Sequence, residues 1–87
     1  MVEVAFVHQG VRTVVYANLK DSFDTIANKY EIFTHLYSNE IYYLSKDKII
    51  KRNDILEDIM DESERKNKRI QILVYSEDNN KENKENK

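Results

Sequence analysis

His8 and His35 are the only side chains in the sequence that ordinarily titrate near neutrality. Neither has a base, nucleophile or second histidine at a telling spacing. His8 stands beside the first turn and His35 in a loop-like stretch, so both are expected to be surface or turn residues. The chain has no cysteine, which removes thiolate nucleophiles, disulfides and thiolate metal sites. Asp54, Glu57, Asp58, Asp61, Glu62 and Glu64 form an acidic cluster. Oxygen ligands of this kind suit divalent cations, but the run lacks calcium-loop spacing and its turning glycine. A solvated acidic loop is expected instead. Lys46, Lys48, Lys51 and Arg52, with Arg65, Lys66, Lys68 and Arg69, could form one basic patch that steers an acidic partner, or could pair with those acids. No phosphate-cradling glycine loop, zinc spacing or nucleophile–base pair occurs. The sequence therefore predicts no enzyme and no cofactor.

Chemistry being scarce, the elements carry the information. In MVEVAFV, Val2, Val4 and Phe6 alternate with Glu3, Ala5 and Val7, the period of a strand. Val11 to Ala17 is again rich in β-branched residues. HQG between the two runs predicts an antiparallel hairpin. Gly10, the only glycine, supplies the positive φ that a short loop or its bulge requires. Phe23, Ile26, Ala27 and Tyr30 fall at i, i+3, i+4 and i+7, one face of a helix from about Ser22 to Ile32. Asp21 or Ser22 suits its N-cap, and Asp24 suits its first turn. EIYYLS predicts a third strand, KDK a tight turn, and Ile49–Ile50 a very short fourth strand. NDILEDIM predicts a single helical turn. DESERKNK is expected to be loop, and RIQILVYS a strong final strand set between the first and third. The tail EDNNKENKENK holds no apolar residue and is expected to be disordered. It contains the tripeptide KEN twice, which resembles a degradation signal but follows readily from low-complexity repetition.

An 87-residue chain makes one small domain, here residues 1–76 followed by a tail at 77–87. Such a domain buries roughly 60–65% of its unfolded surface, so the core is thin. The formal net charge of −2 argues against non-specific nucleic-acid binding. No apolar run is long enough to span a membrane, and the N-terminus lacks the basic region of a signal peptide. A reducing, cytoplasmic-type compartment fits the absence of cysteine.

The order ββαββ, with YYL before a turn, DILEDI before a charged stretch and a terminal IQILVY, resembles the ubiquitin-like β-grasp fold over Met1 to about Tyr75. FVHQGVRTVV and ILVY further resemble the ubiquitin-like domains abundant in ciliate protists. The resemblance implies an α+β domain whose mixed four- to five-stranded sheet carries one helix across one face. Conjugated modifiers of this family end in Gly-Gly, and no glycine follows Gly10. Dimerising branches with spaced acidic motifs, and small-GTPase binders with basic second strands, match poorly. The resemblance therefore implies a non-conjugatable interaction module, an adaptor or a small subunit of a larger assembly. The alternatives are a modifier precursor or fragment and a basic-patch binder of an acidic partner.

Strand alternation assigns sides. With Val2, Val4, Phe6, Val15, Ala17, Tyr42, Leu44, Ile70, Ile72 and Val74 toward the helix, Ala5, Val7, Val14, Tyr16, Tyr43, Leu73 and Tyr75 face the other way, Gln71 beside them. That open face is more apolar than a solvated sheet face should be. Family members use it for recognition. Val7, Val14, Tyr16, Tyr43, Gln71, Leu73 and Tyr75 are accordingly the expected protein-binding residues.

Overall fold

The computed structural model describes residues 1–36 and 41–76. The expected tail at 77–87, with its KEN repeats, lies outside the described residues, as does 37–40. Strands β1 (Val2–His8) and β2 (Val11–Ala17) form the antiparallel hairpin. Its loop is Gln9–Gly10, with φ of 52° and 82°. Positive φ at both central residues is the type I′ arrangement, whose twist matches that of the flanking strands.

Helix α1 (Phe23–Thr34) follows. Ser22 caps it, its hydroxyl accepting from the Thr25 N–H. The open N–H groups of its first turn find partners in a distant segment. Phe23 N–H donates to the Asp54 carbonyl at 2.6 Å and Asp24 N–H to the Arg52 carbonyl at 2.8 Å. A helix start buried without such acceptors would be costly. The helix lays Phe23, Ile26, Ala27 and Tyr30 on the sheet, as their spacing predicts.

Strands β3 (Ile41–Ser45) and β4 (Lys48–Ile49) form a second hairpin through Lys46 and Asp47. Helix α2 (Leu56–Ile59) is the single turn expected at DILEDI. Residues 62–67, expected to be loop, instead form helix α3 (Glu62–Asn67). The reason is local: Asp61 accepts from the Glu64 N–H, and Glu64 Oε1 accepts from the Asp61 N–H. This capping box offsets the low hydrophobicity of the segment. Strand β5 (Arg69–Ser76) runs parallel to β1 and antiparallel to β3, giving one mixed sheet in the order β2-β1-β5-β3-β4.

The core lies between α1 and the sheet. Val2, Val4, Phe6, Ala17, Ile70, Ile72 and Val74 point inward as expected and are buried. Phe6 stacks on Tyr30 at 4.3 Å between ring centroids, and Phe23 meets Tyr43 edge-on at 5.0 Å. The inward position of Tyr43 corrects the expected sidedness of β3. Tyr43 pairs with Val74, whereas Leu44 pairs with Leu73 and Tyr42 with Tyr75. In-register partners share a face, so Tyr43 joins the core while Tyr42 and Leu44 turn outward.

Candidate functional site

The open face is built by register. Val7 of β1 sits opposite both Arg12 of β2 and Leu73 of β5. Leu73 sits opposite Leu44 of β3, which sits opposite Ile49 of β4. One row, Val7–Leu73–Leu44–Ile49, thus crosses four strands on the side away from α1. Val7, Leu73 and Leu44 are half-buried by their neighbours, and Ile49 stands 65% exposed at the end. Alongside this row, Tyr42 and Tyr75 stack at 5.7 Å. Ala5, Val14 and Gln71 form the next row, and Glu3, Tyr16 and Arg69 the one beyond.

Of the residues expected to bind, Val7, Val14, Tyr16, Gln71, Leu73 and Tyr75 share this face, and Tyr43 does not. Tyr42, Leu44 and Ile49 take its place. Contiguous apolar residues at 41–44 have no alternation from which to read sides. The signal that does fix them is pairing with β5, where Gln71 and Arg69 mark the solvent side.

Tyr43 has a different task. Its phenol donates to Glu31 Oε2 at 2.7 Å, on a carboxylate that is only 5% exposed. Burial first, and then the hydrogen bond to Glu31, hold the phenol well above its ordinary pKa. Arg52 meets the same Glu31 oxygen at 2.7 Å and also reaches Asp24 at 2.8 Å and Asn28 at 2.9 Å. Asp24, Asn28 and Glu31 are i, i+4 and i+7 on one flank of α1, which a single guanidinium fork can span. The network bolts the 50–54 segment and β3 to the helix.

The expected basic patch is consumed in part by pairing, through Lys46, Arg52 and Arg69. Lys46 bridges Asp61 at 2.9 Å and Glu64 at 2.6 Å, and the hydrogen bond to Glu64 leads in raising its pKa. Arg65 donates to the main-chain oxygens of Glu57 and Met60. Lys48, Lys51, Lys66 and Lys68 have no ion pair among the described residues. The acids serve local structure: Asp61 and Glu64 in the capping box, Asp54 accepting from the Lys51 N–H, Glu57 holding Lys20. Among the described residues no three histidine or acidic side chains are grouped to hold a metal ion. His35 is the left-handed C-cap of α1. His8 lies on the helix side of β1, beside Tyr30, Thr34 and Leu36, with Nε2 buried and without a hydrogen-bond partner among the described residues. Among the described residues no helix is long and apolar enough to cross a membrane.

A mixed sheet of this order, gripping one helix, matches known structures. One is described as a crystal structure of ATBAG1 in complex with HSP70. The superposition has a TM-score of 0.70 at 14% identity and covers 87% of this chain. The fold is a ubiquitin-like β-grasp. This chain spans 40% of that one's length, and at such identity the likeness concerns fold alone. No protein-family model matches the sequence. No curated protein matches it either.

Proposed function

We propose that this ubiquitin-like domain is a protein-interaction module that binds through the open face of its sheet, as an adaptor or a small subunit of a larger assembly. The observation that carries the reading is the unbroken row Val7–Leu73–Leu44–Ile49, flanked by the Tyr42–Tyr75 stack. Apolar surface on a sheet face outside the core is costly to keep in water and favourable to cover with a partner. Tyrosine at the rim supplies contact area together with a hydroxyl. That a protein of the same fold is described in complex with HSP70 supports a protein as the ligand class. The domain acts by binding rather than by covalent attachment, carries out no catalysis of its own and works in a cytoplasmic setting. The resemblance to ciliate domains belongs to the same proposal.

The test is affinity capture from the native cell with wild type and with Leu44→Ala plus Leu73→Ala. Both side chains lie outside the core, so the double variant should keep its circular dichroism and lose its partners. Undiminished capture of every partner would sink the proposal. Covalent adducts through the C-terminus, sought by mass spectrometry in the same lysate, would show a tag instead. The basic-patch alternative predicts steep loss of binding with salt. The pairing of Lys46 and Arg52 with acids weakens that alternative.

A further inference from the structure

The outer main-chain edge of β2 is a second surface, although Arg12, Val14 and Tyr16 carry their side chains on the open face. Its main-chain polarity follows from the turn. A two-residue loop is closed by a hydrogen-bonded pair, here His8 and Val11, and every second pair along the ladder repeats it. Val11, Thr13, Val15 and Ala17 therefore direct their N–H and C=O groups at β1. Arg12, Val14 and Tyr16 direct theirs away from the sheet. One contact agrees with this polarity: Lys29 Nζ of α1 donates to the Tyr16 carbonyl at 3.0 Å. The edge is seven residues long and has no proline. Arg12 is its only charge. Edges of this length are ordinarily blunted by lysine, proline, a bulge or a covering element; here Lys29 reaches the Tyr16 carbonyl, and the outward groups of Arg12 and Val14 are left as a template for another strand.

The geometry points to a second copy of this chain as the occupant, with β2 pairing antiparallel to β2 about a two-fold axis at Val14. In that register Val14 faces the partner's Val14, and Arg12 faces the partner's Tyr16. Each pair joins residues whose main chain points outward, so each exchanges both of its hydrogen bonds once the Tyr16 carbonyl shares or gives up its contact with Lys29. No like charges are opposed. The only charged side chain of the strand lies against a tyrosine ring on the same face, a favourable cross-strand pair. A two-fold axis requires such self-complementarity. An independent observation lies on the helix. Phe33 is one turn beyond Lys29, on the flank that overlooks this edge, and it is 70% exposed. The axis stands perpendicular to the sheet, so it places both helices on one side and brings the two Phe33 flanks toward each other over the seam.

Sedimentation equilibrium tests this directly. The wild type should show a mass rising from one chain toward two with concentration. Val14→Pro removes an outward N–H that β1 does not use, and Val14→Lys sets two cations opposite each other across the axis. Each should keep the native circular dichroism and weaken the dimer by about tenfold or more. The chain has no cysteine, so Val14→Cys gives a specific trap. Cα atoms in such a pair are about 5.5 Å apart, within disulfide reach. It should cross-link much faster than Gln71→Cys on the open face. Leu44→Ala with Leu73→Ala should leave the dimer intact, which separates this result from loss of the proposed partner. A wild type that stays monomeric, a dimer unaffected by both Val14 variants, or equal cross-linking rates would overturn the inference. Capture of a foreign extended peptide on this edge by a monomeric protein would overturn it as well.

Discussion

Gly10 occupies a left-handed conformation, φ +82°, and a Cβ there would meet nothing within 4 Å among the described residues. The need for glycine is therefore conformational and not spatial. Gly10→Ala should cost about 1 kcal/mol, read as a lower melting temperature with the fold unchanged. An unchanged melting temperature would contradict the turn geometry. Sparing use of glycine has a counterpart elsewhere. Gln9, His35, Lys46, Asp47 and Lys68 all hold positive φ without being glycine. Strain at such positions can be released. Lys68, at the left-handed end of α3, is the cleanest case because its side chain makes no ion pair or hydrogen bond among the described residues. Lys68→Gly should raise stability by about 0.5–1 kcal/mol, or a few degrees in a domain this small. Tyr43 offers a third check at this scale. Tyr43→Phe keeps the ring packing but removes the donor to buried Glu31, at a cost of about 1–2 kcal/mol in urea unfolding. A raised folded pKa means that stability is intact below the unfolded tyrosine value near 10 and is lost as pH climbs past it. The phenylalanine variant should lose less stability at such pH than the wild type.

Helix α3 shows how much a short element depends on its cap. Asp61 is held below its ordinary pKa first by the Glu64 N–H and then by the Lys46 ammonium. A depressed carboxyl contributes stability that is full above its unfolded pKa, near 4, and that disappears as pH falls through the lower folded value. Thermal melts between about pH 6 and 2 should therefore fall more gently for Asp61→Asn, which still caps but does not titrate, than for the wild type. Parallel curves would refute a role for the charge. The same Asp61 and Glu64 receive Lys46 from the β3–β4 turn, so the cap also ties that left-handed turn to α3. The D-x-x-E spacing of Asp61 and Glu64 was present in the sequence, and charge density hid it. A run dominated by charged residues looks like loop because no apolar periodicity marks a buried face.

The whole molecule is held across its layers by two different means. Apolar packing joins α1 to β1, β2 and β5. At the β3 side a polar joint is added to the Phe23–Tyr43 ring contact: Glu31, buried, is shared by Tyr43 and Arg52. Removing only the cation leaves a buried carboxylate with the Tyr43 hydroxyl as its remaining partner, whereas removing Glu31 as well takes away the buried charge and leaves only a neutral hydroxyl without its acceptor. Arg52→Leu should destabilise by about 2 kcal/mol, discounted for the partial exposure of Arg52, and Glu31→Leu together with Tyr43→Phe added to it should recover part of that loss. A triple variant no more stable than the single would show that the carboxylate is not the source of the cost.

The order of the strands with α1 and α2, the hairpin at Gly10, the α1 face and the inward sides of β1 and β5 were all legible in the chain; α3 was not. Each depends on periodicity within a single segment: two for Val2–Val4–Phe6 and Ile70–Ile72–Val74, about 3.6 for Phe23–Ile26–Ala27–Tyr30. The sides of β3 were not legible. Ile41 to Leu44 are apolar without interruption, so only the pairing of Tyr43 with Val74 decides which ring enters the core. That decision also made the open-face patch what it is, replacing Tyr43 with Tyr42, Leu44 and Ile49. The partner of Glu31 was hidden for the same reason, since Arg52 lies 21 residues away and nothing local links them. Local spacing fixes which face a segment can bury, whereas register between distant strands fixes which residues meet, and that is settled only when the chain has folded.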